Sequence, residues 1–190
     1  MAINRNKIIT AAQKYVEKGH LDKAIKEYQK IVRADSSDLR VWLKIGDLQV
    51  KTGQREEAIT TYRKVAEAYA EGGFHPQASA VFKQILRLNP KNTGVYRRLA
   101  DLSRQRGMVP DSLMQLELLY KRLAKENRFK EALEVVNEMV ELDPDNVALR
   151  IRLAEGYSRE NMQKQAIAEF NRAAALLRSS NRTEDFIKVA

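Results

Sequence analysis

The feature that constrains this chain most is a small residue followed by a large one, returning at fixed intervals. Ala24, Ala58, Ala78, Ser112, Ala132 and Ala166 are followed four residues later by Tyr28, Tyr62, Phe82, Leu116, Val136 and Phe170. The small residues stand 34, 20, 34, 20 and 34 positions apart. Residues four apart share a helix face, so each pair reads as a tight helix crossing with bulk beside it. An interval of 34 fits one helical hairpin and 20 fits one helix with its turn, so the full unit is 54 residues and three helices. A lone hairpin cannot bury its apolar stripe, and the unit must therefore stack on copies of itself.

The longer period holds column by column. Val41, Val95 and Leu149 align, as do Ile45, Leu99 and Leu153, and Gly46, Ala100 and Ala154. Ile59, Leu113 and Ile167 follow, with Tyr62, Leu116 and Phe170 one turn on. Ile31, Ile85 and Met139 lead into Ser36, Pro90 and Pro144. Apolar stripes of period 3.6, broken by Gly, Pro and Asn, predict helices over 4–18, 21–34, 38–52, 55–71, 76–88, 92–106, 110–126, 129–142, 145–159 and 162–179. An eleventh is expected to begin near Thr183. The turns are short, so 1–190 reads as one domain, with units at about 1–38 (partial), 39–92, 93–146 and 147–190 (truncated). Asp35-Ser36-Ser37-Asp38 offers N-cap oxygens where the other units have a proline turn.

Composition narrows the function classes. Eight Gly and four Pro are too few for a loop-rich β fold, whereas 44% hydrophobic and 31% charged residues suit amphipathic helices. With no cysteine, disulfides, thiolate nucleophiles and Cys-based zinc sites are excluded. No apolar run is long enough for a signal peptide or a membrane span, which points to a cytoplasmic protein. His20 and His75 both fall at turns and read as solvated. No HExxH, GxSxG, Walker or GxGxxG pattern occurs, so neither an enzyme nor a cofactor or metal site is expected.

From Val41 to Val65 the chain carries Trp42, Ile45-Gly46, Ala58 and Tyr62, in the order W-x2-L-G … A-x3-F/Y. This resembles the tetratricopeptide-repeat family, and the likeness extends over essentially the whole chain. Departures are Gln49 where the family has Tyr, Arg150 in the column of Trp42 and Tyr96, and the missing Pro after the Ala58 helix. The resemblance implies an all-α, right-handed superhelical solenoid of antiparallel hairpins with a concave groove. It also implies a non-catalytic adaptor or scaffold role, here as a piece of a larger bacterial scaffold.

The groove-lining helices carry charge in columns. Lys44, Arg98 and Arg152 are equivalent; Asp47, Asp101 and Glu155 follow three residues on, and Lys51, Gln105 and Arg159 four beyond that. These steps keep each trio on one helix face, so Lys44, Asp47, Lys51, Arg98, Asp101, Arg152, Glu155 and Arg159 are the expected contacts for an acidic or mixed-charge peptide or protein. Intrahelical ion pairing on a solvated face is the competing reading. The family's carboxylate clamp for chaperone tails needs Asn where Lys44, Arg98 and Arg152 stand, so that ligand is not implied. Two alternatives remain. The net charge of +9 and the basic stretch Arg97 to Lys130 invite nucleic acid, although interleaved acids and core-facing aromatics disfavour it. Shifting Ala78 and Ala132 by 54 places Phe186 and Ala190 in exchanged slots, and Phe186, Ile187, Val189 and the column ending at Leu177 would be left partly bare. Such an end invites a continuing array or a homo-oligomer.

Overall fold

The computed structural model describes residues 4–179, and among these the chain is all helix and turn. Ten helices follow in order: α1 (Arg5–Glu17), α2 (Leu21–Ala34), α3 (Leu39–Lys51), α4 (Arg55–Glu71), α5 (His75–Leu88), α6 (Thr93–Gln105), α7 (Val109–Lys125), α8 (Phe129–Leu142), α9 (Val147–Arg159) and α10 (Gln163–Ser179). Their ends fall within two residues of those expected from sequence. The anticipated helix near Thr183 and the slots at Phe186 and Ala190 lie outside the described residues.

Two kinds of turn set the period. At Gly19, Gly53, Gly73, Gly107, Asn127 and Asn161 the backbone takes positive φ, again 34, 20, 34, 20 and 34 residues apart. The next N–H then closes back on the helix just ended, as in His20 N to Tyr15 O at 2.8 Å and Met162 N to Tyr157 O at 2.8 Å. This left-handed helix stop favours Gly, with Asn the usual substitute. The other turns recur every 54 residues at Asp35, Asn89 and Asp143, where the chain is extended (φ −137°, −134° and −136°). Asp35 and Asn89 accept from the N–H two residues on at 3.0 Å, and Asp38 and Asn146 cap α3 and α9. The expected N-cap oxygens are therefore in use.

The chain divides into two compact units, the first ending at Val95 and the second beginning at Tyr96, within α6. In the first, α1 to α5 pack each on the next. One apolar core joins α1, α2 and α3 through Ala12, Ala24, Ile25, Tyr28, Ile45 and Leu48. In the second, α7 to α10 pack in succession, and a core runs through Leu116, Leu119, Leu123, Val135, Val136 and Leu153. The small slots are buried throughout, including Ser112, whose hydroxyl donates to Ala100 O at 3.0 Å. Gly46 shows why the slot is small: a Cβ there would lie 2.7 Å from the Tyr62 ring.

Three expectations change in α5 and α10. Leu177 is fully buried, as is Ala173 one turn earlier, so that face is covered rather than bare. Ile167 is exposed although its column mate Ile59 is buried: α4, which carries Ile59, is packed by both α3 and α5, whereas among the described residues α10 packs on α9. His75 is partly buried at the start of α5, unlike the exposed His20.

Candidate functional site

In the second unit α7, α8 and α9 enclose a cleft of about 590 Å³. Its floor is apolar and buried, from Ala132 and Val136 of α8. Tyr120 and Ala124 of α7 form one wall, and Ile151 and Gly156 of α9 the other. Phe129, 54% exposed at the first turn of α8, stands at the mouth with Glu155, Arg159 and Glu160.

Arg152 ties α9 to α7 along this cleft. Its Nη1 donates to Glu117 Oε2 at 2.6 Å, and its guanidinium lies 5.0 Å from the Tyr120 ring centroid. Lys121 reaches the same carboxylate at 3.3 Å. These groups are part-exposed, so the strap positions the helices more than it stabilises them. Glu155 and Arg159 make no ion pair among the described residues.

The eight sequence-predicted contacts therefore separate. Arg152, Glu155 and Arg159 line the cleft. Lys44, Asp47 and Lys51 sit on α3 in the first unit, all exposed. Lys44 Nζ lies 5.6 Å from the Tyr28 ring, and Asp47 accepts from the Tyr62 hydroxyl at 2.6 Å. Burial, and then that hydrogen bond, raise the Tyr62 pKa far above the ordinary phenol value. On α6, Arg98 lies 4.0 Å from Asp101, which also accepts from Arg104 at 3.1 Å. The intrahelical pairing considered from sequence is thus seen at Arg98–Asp101, whereas Lys44, Asp47 and Arg152 engage neighbouring helices.

Sequence reasoning missed Tyr120, Phe129, Leu133, Ile151 and Gly156 of the cleft. It also missed what Arg150 does in the column of Trp42. The Trp42 indole N–H donates to Ser36 O at 3.1 Å, and Arg150 Nε donates to the equivalent Pro144 O at 2.6 Å. Arg150 Nη1 further holds the buried Glu169 at 2.7 Å, and Glu169 also binds Arg172. Glu169 is two periods beyond Thr61, which in α4 donates to Gln49 at 2.7 Å. A buried polar column thus changes partner from Gln49 to Arg150.

The basic stretch is largely neutralised. Arg97 pairs with Glu138, Arg122 with Glu126 at 2.8 Å, and Arg128 with Glu131 at 2.6 Å. Through its hydrogen bonds, Arg128 holds the Glu131 carboxyl below its usual range.

Residues 9–72 match a family model described as tetratricopeptide repeat, and residues 123–182 match a second model of the same description. The chain is a tetratricopeptide-repeat protein. A curated relative is the DnaJ homolog subfamily C member 3 of Gallus gallus, 25% identical over 183 residues, covering 86% of this chain. The tetratricopeptide chain spans about a third of that relative's length (35%). Among solved structures it is similar to MamA from Desulfovibrio magneticus RS-1, at 16% identity and a TM-score of 0.33, over 94% of this chain and 98% of that one. YrrB, described as a TPR protein with an unusual peptide-binding site, is 16% identical with a TM-score of 0.30, over 89% of this chain and 84% of its own. Among the described residues no helix is long and apolar enough to cross a membrane, and no group of three acidic or histidine side chains could hold a metal ion.

Proposed function

We propose that this tetratricopeptide-repeat protein is a non-catalytic adaptor that binds a peptide segment of a partner protein in the α7–α8–α9 cleft. The supporting observation is the combination in one place of an apolar floor, an exposed aromatic and charged groups of both signs at the mouth. Arg152, Glu155 and Arg159 are the contacts, with Arg152 preset by Glu117 and Tyr120. Lys44, Asp47, Lys51, Arg98 and Asp101 are assigned the lesser part of attracting a mixed-charge partner on other faces. The ion pairs of the basic stretch favour a protein over a nucleic acid, because charge already matched by carboxylates releases few counterions on a phosphate backbone.

Random dodecapeptides displayed on phage and selected on the immobilised chain supply a probe, whose affinity is then read by fluorescence anisotropy. The double variant Glu155→Lys/Arg159→Glu is expected to weaken a recovered peptide about five- to tenfold, with the wild-type affinity falling as salt rises. No enrichment of peptides, or equal affinity for both proteins, would overturn the proposal.

A further inference from the structure

The cleft opens where α9 departs from its own repeat. The position filled by Leu48 in α3 and Leu102 in α6 is Gly156 in α9. Both leucines are buried, at 5% and 1% exposure. The departure is compounded when α7–α9 is compared with its counterpart α1–α3, two periods earlier. Buried Tyr28 there corresponds to Val136, and Val16 corresponds to Ala124. Leu48 and Tyr28 belong to the apolar core of α1–α3, whereas Gly156, Val136 and Ala124 all line the cleft. Tyr120, where α1 has Ala12, returns part of that volume, but it serves as the wall beneath Arg152. One side chain leans toward the glycine: a Cβ on Gly156 would lie 2.5 Å from Leu133 Cδ1, the free end of a flexible group.

We propose that Gly156 determines the specificity of this cleft: the place that a leucine fills in earlier repeats is left for one leucine-, methionine- or phenylalanine-sized side chain of the bound peptide. The inference rests on the cleft being the binding site. The occupant is an extended partner segment with a single apolar anchor flanked by residues of opposite charge. Glu155 and Arg159, four residues apart and unpaired among the described residues, offer one charge of each sign at the mouth. A second copy of the chain fits less well, since a stable dimer needs about 800 Å² per partner and the observed feature is a concave, mixed-charge slot.

The test uses phage-selected dodecapeptides on the wild-type chain, then anisotropy against Gly156→Leu and Gly156→Ala. Selected peptides should share a Leu, Met or Phe at one position. Gly156→Leu, which restores the column residue, should weaken binding about tenfold or more, and Gly156→Ala by less. Replacing the peptide's anchor by Ala should cost wild type a similar factor and cost Gly156→Leu almost nothing. Circular dichroism checks the fold, and Gly156→Ala carries the test should the leucine variant misfold. Peptides that respond to Glu155→Lys/Arg159→Glu but bind both Gly156 variants normally would overturn this inference and leave the groove reading standing. Failure to select any peptide would overturn both.

Discussion

The triplets α1–α3 and α7–α9 are built to one plan and end in different states. Each has a tight turn with positive φ, at Gly19 or Asn127, an extended turn at Asp35 or Asp143, and a buried alanine at the crossing, Ala24 or Ala132. Each places a cation near a tyrosine ring, Lys44 by Tyr28 and Arg152 by Tyr120. In α1–α3 the ring belongs to the middle helix and fills the centre together with Leu48. In α7–α9 it comes from the first helix, and the centre is left to Gly156 and Val136. The backbone plan is therefore fixed by a few slots and turns, while three large-to-small differences, Leu48 to Gly156, Tyr28 to Val136 and Val16 to Ala124, accompany the cleft that α7–α9 carries beside its core.

That comparison can be broken most sharply by opening the closed triplet. Leu48→Gly should cost about 3–5 kcal/mol, combining a lost buried leucine with the poor helix propensity of glycine. Urea unfolding would measure it, and a loss below about 1 kcal/mol would mean that Leu48 does not fill the space in α1–α3 as argued.

A second exchange separates α3 from α9. Arg150→Trp restores the Trp42 column but leaves the buried Glu169 carboxylate with Arg172 as its remaining cation. A loss of about 2–4 kcal/mol is expected. Adding Glu169→Thr, the residue of the Thr61 column, should recover at least half of that loss. Recovery no greater than additive would show that the two positions are not coupled.

Smaller still is the effect of Tyr62→Phe, about 0.5–1.5 kcal/mol for the bond to Asp47. It has a pH signature. Because the folded-state pKa of Tyr62 is raised, its contribution is whole below the unfolded value of 10.0 and is lost as pH climbs above it. The variant should show a shallower alkaline loss, keeping the part due to Tyr28, which burial also raises. An unchanged alkaline profile would contradict the assignment.

Gly156→Ala should change stability least. Helix propensity gains about 1 kcal/mol, and turning the end of Leu133 into the cleft offsets part of it. A net loss above about 1 kcal/mol would show that Leu133 is locked in place.

Much of this fold was legible in the sequence because the repeat states each fact several times. Helix ends, buried small slots and the 54-residue period are written in Gly and Asn stops, in Ala24 through Ala166, and in the Asp35 and Asp143 turns. The cleft was not legible, because it is made by what is missing. Gly156 is an ordinary helix residue until set beside Leu48 and Leu102, and Val136 passed as one more large residue after a small one. The column spacing shows which charges share a helix face, but not their partners on other helices: Lys44 meets Tyr28, Asp47 meets Tyr62, and Arg152 meets Glu117, while Arg98 and Asp101 pair within α6. A window moved along one helix sees only neighbours three and four residues away.

The exchange of Trp42 for Arg150 also leaves the chain with a built-in reporter. Trp42 is its single tryptophan, seated on α3 of the first unit with Lys64 Nζ 3.8 Å from the ring centroid. Indole emission therefore follows the melting of the first unit, while far-ultraviolet dichroism follows helices in both. The gap between the two melting curves measures directly how far the half that carries the cleft unfolds on its own.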